Sequence, residues 1–115
     1  MKALKSKVIY HGGSLPVPSY LQKGEIELKE GSFYFCAKEK SIKYPIEISI
    51  PITHIKSAVA EERKYYSSIG YFLIVQYIGN REKVEKLELE IRSFGRRGRA
   101  QAISQLWAGA LSVKT

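Results

Sequence analysis

Hydrophobic and polar residues alternate along most of the chain, which is the pattern of β-strands that bury one face. The stretch GEIELKEGSFYF contains two such segments, and in the first of them Ile26 and Leu28 alternate with glutamate and lysine. Gly31 lies between the two segments, where a tight turn needs a residue that tolerates positive φ. We therefore predict a β-hairpin with one apolar face and one solvated face.

The clearest strand signal is the stretch IEISIPITHI, in which isoleucine occupies every second position from Ile46 to Ile52. β-Branched residues are favoured on a pleated, half-buried surface. Pro51 cannot donate a hydrogen bond to a neighbouring strand, so it predicts an edge, a bulge or a corner. The chain is expected to resume as a strand in HIKSAVAEERK.

Three further segments complete the predicted set of strands. YFLIVQYI is apolar on both faces, so this strand is covered on both sides or meets another molecule, and we favour cover from within the chain. KLELEIRS alternates cleanly, with its leucines and Ile91 directed inward and with Glu88, Glu90 and Arg92 directed outward. Near the start of the chain, VIYH predicts a short strand that ends at Gly12 and Gly13.

Only the C-terminal segment has the period of a helix. In RRGRAQAISQLWAGALSV, Leu106 lies beside a set of apolar residues with the i, i+3, i+4, i+7 spacing of an amphipathic helix, namely Ala100, Ile103, Trp107, Ala110 and Leu111. Ser93 precedes the segment as a candidate N-cap. Trp107 is expected to seat the helix against the sheet, because a buried aromatic ring covers a large area.

The predicted order of about seven strands and one helix resembles the pleckstrin-homology-like (PH-like) superfamily. The hairpin GEIELKEGSFYF followed by ISIPITHIKSA is similar to the pattern of GRAM and bacterial PH-type domains, in which a pair of strands leads into an I-P-x-x-x-I segment. The resemblance implies a mainly β fold, a PH-like barrel of about seven antiparallel strands in two orthogonal sheets that is capped by one C-terminal α-helix. It covers residues 1–115 as a single PH-like domain.

The resemblance also implies where a ligand would bind. In lipid-binding PH domains, inositol phosphates are held by the loops between the first and second, third and fourth, and sixth and seventh strands. The matching loops of this chain define a predicted mouth, which carries the basic residues Lys23, Lys38, Lys40, Lys43, Arg81, Lys83 and Lys86. The basic-x-arginine motif of phosphoinositide-binding members is missing from the first loop, where Lys23 is the basic residue.

The chain carries a net charge of +8, from 19 lysines and arginines against 11 acidic residues, all of which are glutamate. This balance favours an anionic partner, and it leaves phospholipid headgroups, nucleic acid and an acidic protein surface open. The absence of aspartate excludes Asp-based catalytic triads, Asp-based metal sites and Asp nucleophiles.

Three arginines, Arg96, Arg97 and Arg99, lie directly before and at the start of the predicted helix. Together with the backbone N–H groups of a helix start they form an alternative phosphate contact. In the second interpretation they are solvated side chains, for which the unfavourable interaction with the helix dipole is roughly 0.3–1 kcal/mol each. We favour the second interpretation.

Exposed aromatic side chains among basic residues can stack on nucleic-acid bases or anchor a protein partner. Four tyrosines are candidates for this role, and packing at the rim of a small barrel is the interpretation that we favour for them: Tyr65, Tyr66, Tyr71 and Tyr77. The stretch YYSSIGY is predicted to be a mobile loop.

The histidines and the cysteine predict no catalytic or metal chemistry. His11 and His54 are far apart in sequence, and one cysteine adds too few ligands for a metal site, so we expect no metal and no cofactor. His54 is expected to point outward after the Pro51 corner. Cys36 lies within a predicted strand, where a buried and inert thiol is expected.

These observations predict a non-enzymatic PH/GRAM-like binding module that mediates protein–protein or peripheral anionic-membrane interaction. The alternative is a small basic β-barrel that binds RNA or single-stranded nucleic acid, and the outward glutamates of KLELEIRS and GEIELKE disfavour it. No spacing singles out a general acid or base, so we expect no enzyme.

The sequence also predicts a location. No segment approaches the ~20 apolar residues that a membrane-spanning helix needs. A single cysteine fits a reducing compartment. We therefore expect a cytoplasmic protein, free or peripheral to the membrane, and the oligomeric state is left open, a homodimer included.

Overall fold

The computed structural model describes residues 4–13, 22–37, 46–65, 68–79, 82–92 and 97–112. These residues form seven strands, a 3₁₀ turn at Ile52–His54 and one α-helix. The strands are β1 (Leu4–Gly13), β2 (Gln22–Lys29), β3 (Ser32–Ala37), β4 (Ile46–Pro51), β5 (Ile55–Tyr65), β6 (Ser68–Ile78) and β7 (Val84–Ile91), and the helix is α1 (Arg97–Ser112).

All seven strands belong to one antiparallel sheet with the order β4-β3-β2-β1-β7-β6-β5. Strand β1 joins the two halves, because it pairs with β2 on one side and with β7 on the other. Strands β4 and β5 are the two edges of this order and do not pair, so the sheet is not closed. A mainly β fold of seven antiparallel strands and one C-terminal helix is thereby confirmed, and it matches the description of a PH-like fold. The predicted division into two sheets is replaced by one continuous sheet.

The core lies on one face of this sheet, called the inner face here. Alternate residues of each strand are buried there, as the sequence pattern predicts. In β3, for example, Phe33, Phe35 and Ala37 are buried, whereas Tyr34 and Cys36 lie on the outer face and are half-buried.

Two boundaries differ from the sequence prediction. Strand β1 begins at Leu4, well before VIYH, because the lysines of LKSK alternate with inward residues and extend the pattern. The stretch YYSSIGY, predicted as a mobile loop, is mostly strand, since β5 ends at Tyr65 and β6 begins at Ser68. Residues 66–67 lie outside the described part of the chain.

Gly24 of β2 occupies a position where a side chain does not fit. A Cβ atom at Gly24 would lie 2.5 Å from the carbonyl oxygen of Cys36 and 3.0 Å from the ring of Phe35. We expect Gly24→Ala to lower the free energy of unfolding by about 1–3 kcal/mol, because the backbone of β3 must move. Urea denaturation measures this change. The control is Gly109→Ala in α1, where a Cβ meets no atom within 4 Å, and a gain of about 0.5–1 kcal/mol is expected. A Gly24→Ala protein as stable as the wild type would contradict the close approach of β2 and β3.

Helix α1 covers the core through Trp107, which is fully buried. The helix packs on β5 and β6, and the indole Nε1–H of Trp107 donates a 2.8 Å hydrogen bond to Ser6 Oγ in β1. The indole also meets the ring of Phe33 in β3 edge to face, at a centroid distance of 5.7 Å. Trp107 therefore packs against β1 and β3 while the helix lies on β5 and β6, which confirms its predicted role of seating the helix against the sheet.

The remaining helix positions agree with the prediction except at two places. Ala100 and Leu111 are buried, but Leu106, predicted beside the apolar face, is 56% exposed. Ser104 is buried instead, and its hydroxyl donates to the carbonyl oxygen of Gln101. The predicted N-cap Ser93 lies outside the described residues.

Tyr77 places a hydroxyl in the core without a hydrogen-bond partner among the described residues. Burial raises the pKa of Tyr77, and the nearby carboxylate of Glu85, opposite on β7, adds to the rise. We expect Tyr77→Phe to leave the free energy of unfolding unchanged or to raise it by up to about 1 kcal/mol, because an unsatisfied buried hydroxyl is unfavourable. Thermal unfolding checks this, and a clear loss of stability would mean that the hydroxyl has a stabilising partner.

In the part of the chain that the structure describes, no helix combines the length and the hydrophobicity that crossing a bilayer requires.

Candidate functional site

The predicted mouth lies mostly outside the described residues. Lys38, Lys40, Lys43 and Arg81 are not described, whereas Lys23, Lys83 and Lys86 are exposed. The pairing of Gly13 with Leu87 shows that the end of β1 and the start of β7 lie at the same end of the sheet. The three loops of the mouth therefore connect strand ends at one common end, and the mouth as a binding site stays a prediction.

The alternative phosphate contact is only partly described. Arg96 lies outside the described residues, and so does the side chain of Arg97, the first residue of α1. Arg99 is exposed. Both interpretations of these arginines stay predictions.

A different group of basic residues lines an open depression of about 540 Å³ on the outer face of β1, β2 and β3. We call this depression the basic groove. Tyr34 and Cys36 lie in it beside two carboxylates, those of Glu25 and Glu27. Four cationic side chains line it, and they belong to Lys5, Lys7, Lys23 and Arg92.

Two of these cations are neighbours across strands. The backbone N–H of Arg92, directly after β7, donates a 3.0 Å hydrogen bond to the carbonyl oxygen of Lys7 in β1. Both side chains line the basic groove. Both cations can therefore contact one anionic group that enters the basic groove.

The two carboxylates of the basic groove already interact with lysines. Lys5 Nζ lies 3.2 Å from Glu25 Oε2, and Lys29 Nζ lies 3.6 Å from Glu27 Oε1. With four cations against two carboxylates, the basic groove has a positive formal charge. Its chemistry is therefore that of a site for a small anionic group such as a phosphate or a carboxylate.

The sequence predicted one of the four cations of the basic groove, Lys23. The alternation of LKSK, in which Ser6 points inward, was the signal for Lys5 and Lys7. Arg92 was predicted to point outward, but its position beside Lys7 depends on the pairing of β1 with β7.

Cys36 lies in β3 as predicted, but the expectation of a buried thiol is wrong. Phe35 and Ala37 occupy the inner face, so alternation places Cys36 on the outer face, where it is half-buried and lines the basic groove.

A second cluster on the outer face surrounds Phe72 of β6, which is fully buried although it lies opposite the core. The guanidinium carbon of Arg63 is 4.5 Å from the ring centroid, and the ring of His11 meets it edge to face at 4.6 Å. Arg63 Nη2 donates a 2.6 Å hydrogen bond to Glu88, and His11 Nε2 lies 2.7 Å from Glu90 Oε1. These five residues are called the Phe72 cluster.

The Phe72 cluster covers part of the second face of the apolar strand YFLIVQYI. The predicted cover from within the chain is found at Phe72, where it comes from polar side chains of β1, β5 and β7, whereas Ile74 and Ile78 on the same face are half-buried. His11 reaches the ring from a bulge, since the pairing of β1 with β7 shifts between Tyr10 and Gly12. The hydrogen bond from Arg63 lowers the pKa of Glu88, so the ion pair is fully charged at neutral pH.

The other candidate residues are placed as follows. Tyr71 is half-buried against the core and Tyr77 is buried, as packing predicts, so neither hydroxyphenyl ring is free to stack on a base. Tyr66 and the side chain of Tyr65 lie outside the described residues. His54 is exposed, as predicted. Within the described ranges, no three histidine, cysteine or glutamate side chains come together as a potential metal site.

Comparison of this chain with protein-family models and with curated proteins gives no match. The fold and the basic groove define the class of the molecule. It is a mainly β protein with a depression on the outer face of its sheet that is lined mainly by cationic side chains. Membership of the PH-like superfamily stays a prediction.

Proposed function

We propose that this protein is a non-enzymatic binding module that docks on anionic membrane surfaces through the basic groove. The observation that carries the proposal is the side-by-side placement of Lys7 and Arg92 in a depression that Lys5 and Lys23 also line. A lipid headgroup phosphate or carboxylate that enters the groove would lie between these cations. The fold description and the net charge of +8 also support the proposal.

A membrane fits the outer face better than a nucleic acid does. A strand of nucleic acid lying across the sheet would run its phosphates past the carboxylates of Glu25, Glu27, Glu88 and Glu90, which line the same face. A lipid headgroup, by contrast, would contact only the cations of the basic groove and would not extend across the rest of the sheet. Binding of RNA or single-stranded DNA is accordingly the second candidate, and an acidic protein partner is a third.

Co-sedimentation with vesicles tests the proposal. Wild-type protein is expected to pellet with vesicles that contain phosphatidylserine and to stay in solution with phosphatidylcholine alone. A lysine near an anionic surface contributes about 1 kcal/mol, so Lys7→Gln with Lys23→Gln is expected to weaken binding by roughly thirtyfold. The affinity should also fall as the salt concentration rises.

The matched control is the double variant Lys56→Gln with Lys64→Gln, which removes the same charge from two exposed positions of β5 outside the basic groove. It is expected to lose much less affinity. Equal losses in the two double variants would show that net charge alone drives binding. Wild-type protein that binds neither vesicle, but shifts single-stranded RNA in a gel, would favour the second candidate.

A further inference from the structure

The charges of the basic groove are ordered from one strand to the next. In the pairing of β1 with β2, Lys7 lies opposite Glu25 and Lys5 lies opposite Glu27. Arg92 lies on the other side of Lys7, to which its backbone is hydrogen-bonded. Side chains directly opposite each other have Cβ atoms about 4.5–5.5 Å apart. The carboxylates of β2 therefore lie one strand away from the cations of β1, and a ligand in the basic groove meets both kinds of charge.

The basic groove continues into a second depression of about 690 Å³ on β2, β3 and β4. Among the described residues, three line both depressions, and they are Glu27, Tyr34 and Cys36. The second depression is also lined by Lys29 and by the carboxylates of Glu30 and Glu47. Glu27 and Tyr34 therefore lie where a mainly cationic surface meets a surface that is richer in carboxylates.

The place where the two depressions meet already holds an ammonium group of the chain itself. Lys29 Nζ lies 3.6 Å from Glu27 Oε1 and 5.5 Å from the centroid of the Tyr34 ring. A carboxylate and the face of an aromatic ring both attract an ammonium group. The Lys29 side chain is 49% exposed, and ion pairs between exposed side chains are weak. An ammonium group of a ligand can therefore take its place, and a carboxylate also has oxygens enough for more than one cation.

We propose that the basic groove selects lipid headgroups that carry an ammonium group beside their anionic groups, and that its ligand is the phosphoserine headgroup of phosphatidylserine. The phosphate contacts Lys7 and Arg92, and the ammonium group contacts Glu25 and Glu27 beside the Tyr34 ring. The inference rests on the proposed membrane function and specifies its ligand, because docking by net charge alone has no use for the two carboxylates.

The headgroup has the dimensions and the charges that this arrangement needs. Two carbon atoms join the phosphate ester oxygen to the ammonium nitrogen, so the two groups can reach neighbouring strands, which lie about 4.8 Å apart. The serine carboxylate is attached to the same carbon as the ammonium group, and Lys23 is the cation of β2 that lines the basic groove. Phosphatidylglycerol has the same net charge but carries hydroxyl groups in place of the ammonium, so it offers the carboxylates of the groove no cation.

Co-sedimentation with two kinds of anionic vesicle tests the inference. The vesicles contain phosphatidylcholine with the same fraction of either phosphatidylserine or phosphatidylglycerol, which matches their surface charge. Wild-type protein is expected to bind the phosphatidylserine vesicles about fivefold more tightly. Glu27→Gln is expected to bring this ratio close to one and to strengthen binding to phosphatidylglycerol, because a negative charge is removed. The matched control Glu62→Gln removes the same charge from an exposed position of β5 outside the basic groove, and it should keep the fivefold preference.

Lys29→Gln separates the inference from docking by net charge. The variant has one cation fewer, so its binding to phosphatidylglycerol should weaken. Its preference for phosphatidylserine is expected to rise by about twofold, because the ammonium group that competes for Glu27 and Tyr34 is gone. The matched control Lys56→Gln loses the same charge from an exposed position of β5, and its preference should equal that of the wild type.

The outcomes distinguish the inference from the proposed function. Wild-type protein that binds both anionic vesicles equally well would overturn the inference and leave the membrane function standing. A preference that persists in Glu27→Gln, or that falls in Lys29→Gln, would also overturn it, since the ammonium group would then bind elsewhere. Binding to neither anionic vesicle would overturn the proposed function, and the inference with it.

Discussion

Trp107→Ala is expected to lower the free energy of unfolding by about 3–5 kcal/mol, the range for removal of a large buried aromatic side chain. The indole is fully buried, donates a hydrogen bond to Ser6 and packs edge to face on Phe33. Its loss leaves a cavity between α1 and strands β1 and β3. Domains of this size are stable by about 5–15 kcal/mol, so the variant should be partly unfolded at moderate temperature. Urea denaturation followed by circular dichroism measures the change.

Leu106→Ala is the matched control, since Leu106 precedes Trp107 on α1 and is 56% exposed. It is expected to change the free energy of unfolding by no more than about 0.5 kcal/mol. A Trp107→Ala protein that unfolds at the same urea concentration as Leu106→Ala would show that α1 does not hold the two halves of the sheet together.

Phe72→Ala is expected to cost about 3 kcal/mol or more, although Phe72 lies opposite the main core. The ring is fully buried beneath Arg63 and His11. Its removal takes away the apolar support of both side chains and the cation–π contact, which contributes about 0.5–2 kcal/mol by itself. Denaturation curves of the variant measure the total.

Ile74→Ala controls for the loss of an apolar residue from the outer face of β6. Ile74 is two residues further along this strand and is only half-buried, so a loss well below that of Phe72→Ala is expected. Phe72→Leu retains most of the buried apolar area and loses the ring contacts with Arg63 and His11. Its loss in free energy of unfolding should therefore be smaller than that of Phe72→Ala. Equal costs for Phe72→Ala and Ile74→Ala would contradict the structural role of the Phe72 cluster.

The local pattern of hydrophobic and polar residues was sufficient to predict most of the strands and the helix. In GEIELKEGSFYF the alternation and the glycine turn specify β2 and β3, and the period of Ala100, Ile103 and Trp107 specifies α1. The joining of β1 with β7 could not be predicted in this way, because these strands are about 80 residues apart and their pairing depends on tertiary packing. The two sheets that the resemblance implied form one continuous sheet in the structure, because β1 pairs with both β2 and β7.

The basic groove shows a similar limit. Alternation alone indicates that Lys5, Lys7 and Arg92 point outward, but their meeting at one place requires the register of β1 against both β2 and β7. The Phe72 cluster required one further feature, the bulge at His11, for which the sequence offers only the neighbouring glycines as a signal. The resemblance to PH-like domains implied a site at the strand ends, whereas Lys5, Lys7 and Arg92 of the basic groove lie on the outer face of the sheet.

Mapping of lipid contacts by NMR tests the central claim most directly, because it reports where on the described surface an anionic lipid binds. A short-chain phosphatidylserine is titrated into ¹⁵N-labelled wild-type protein at lipid concentrations below the critical micelle concentration of the lipid. The proposal predicts that the largest amide shift changes occur at Lys7, Lys23 and Arg92, and that they disappear in Lys7→Gln with Lys23→Gln. Shift changes that centre on Lys83 and Lys86 at the predicted mouth, or no saturable changes at all, would contradict it.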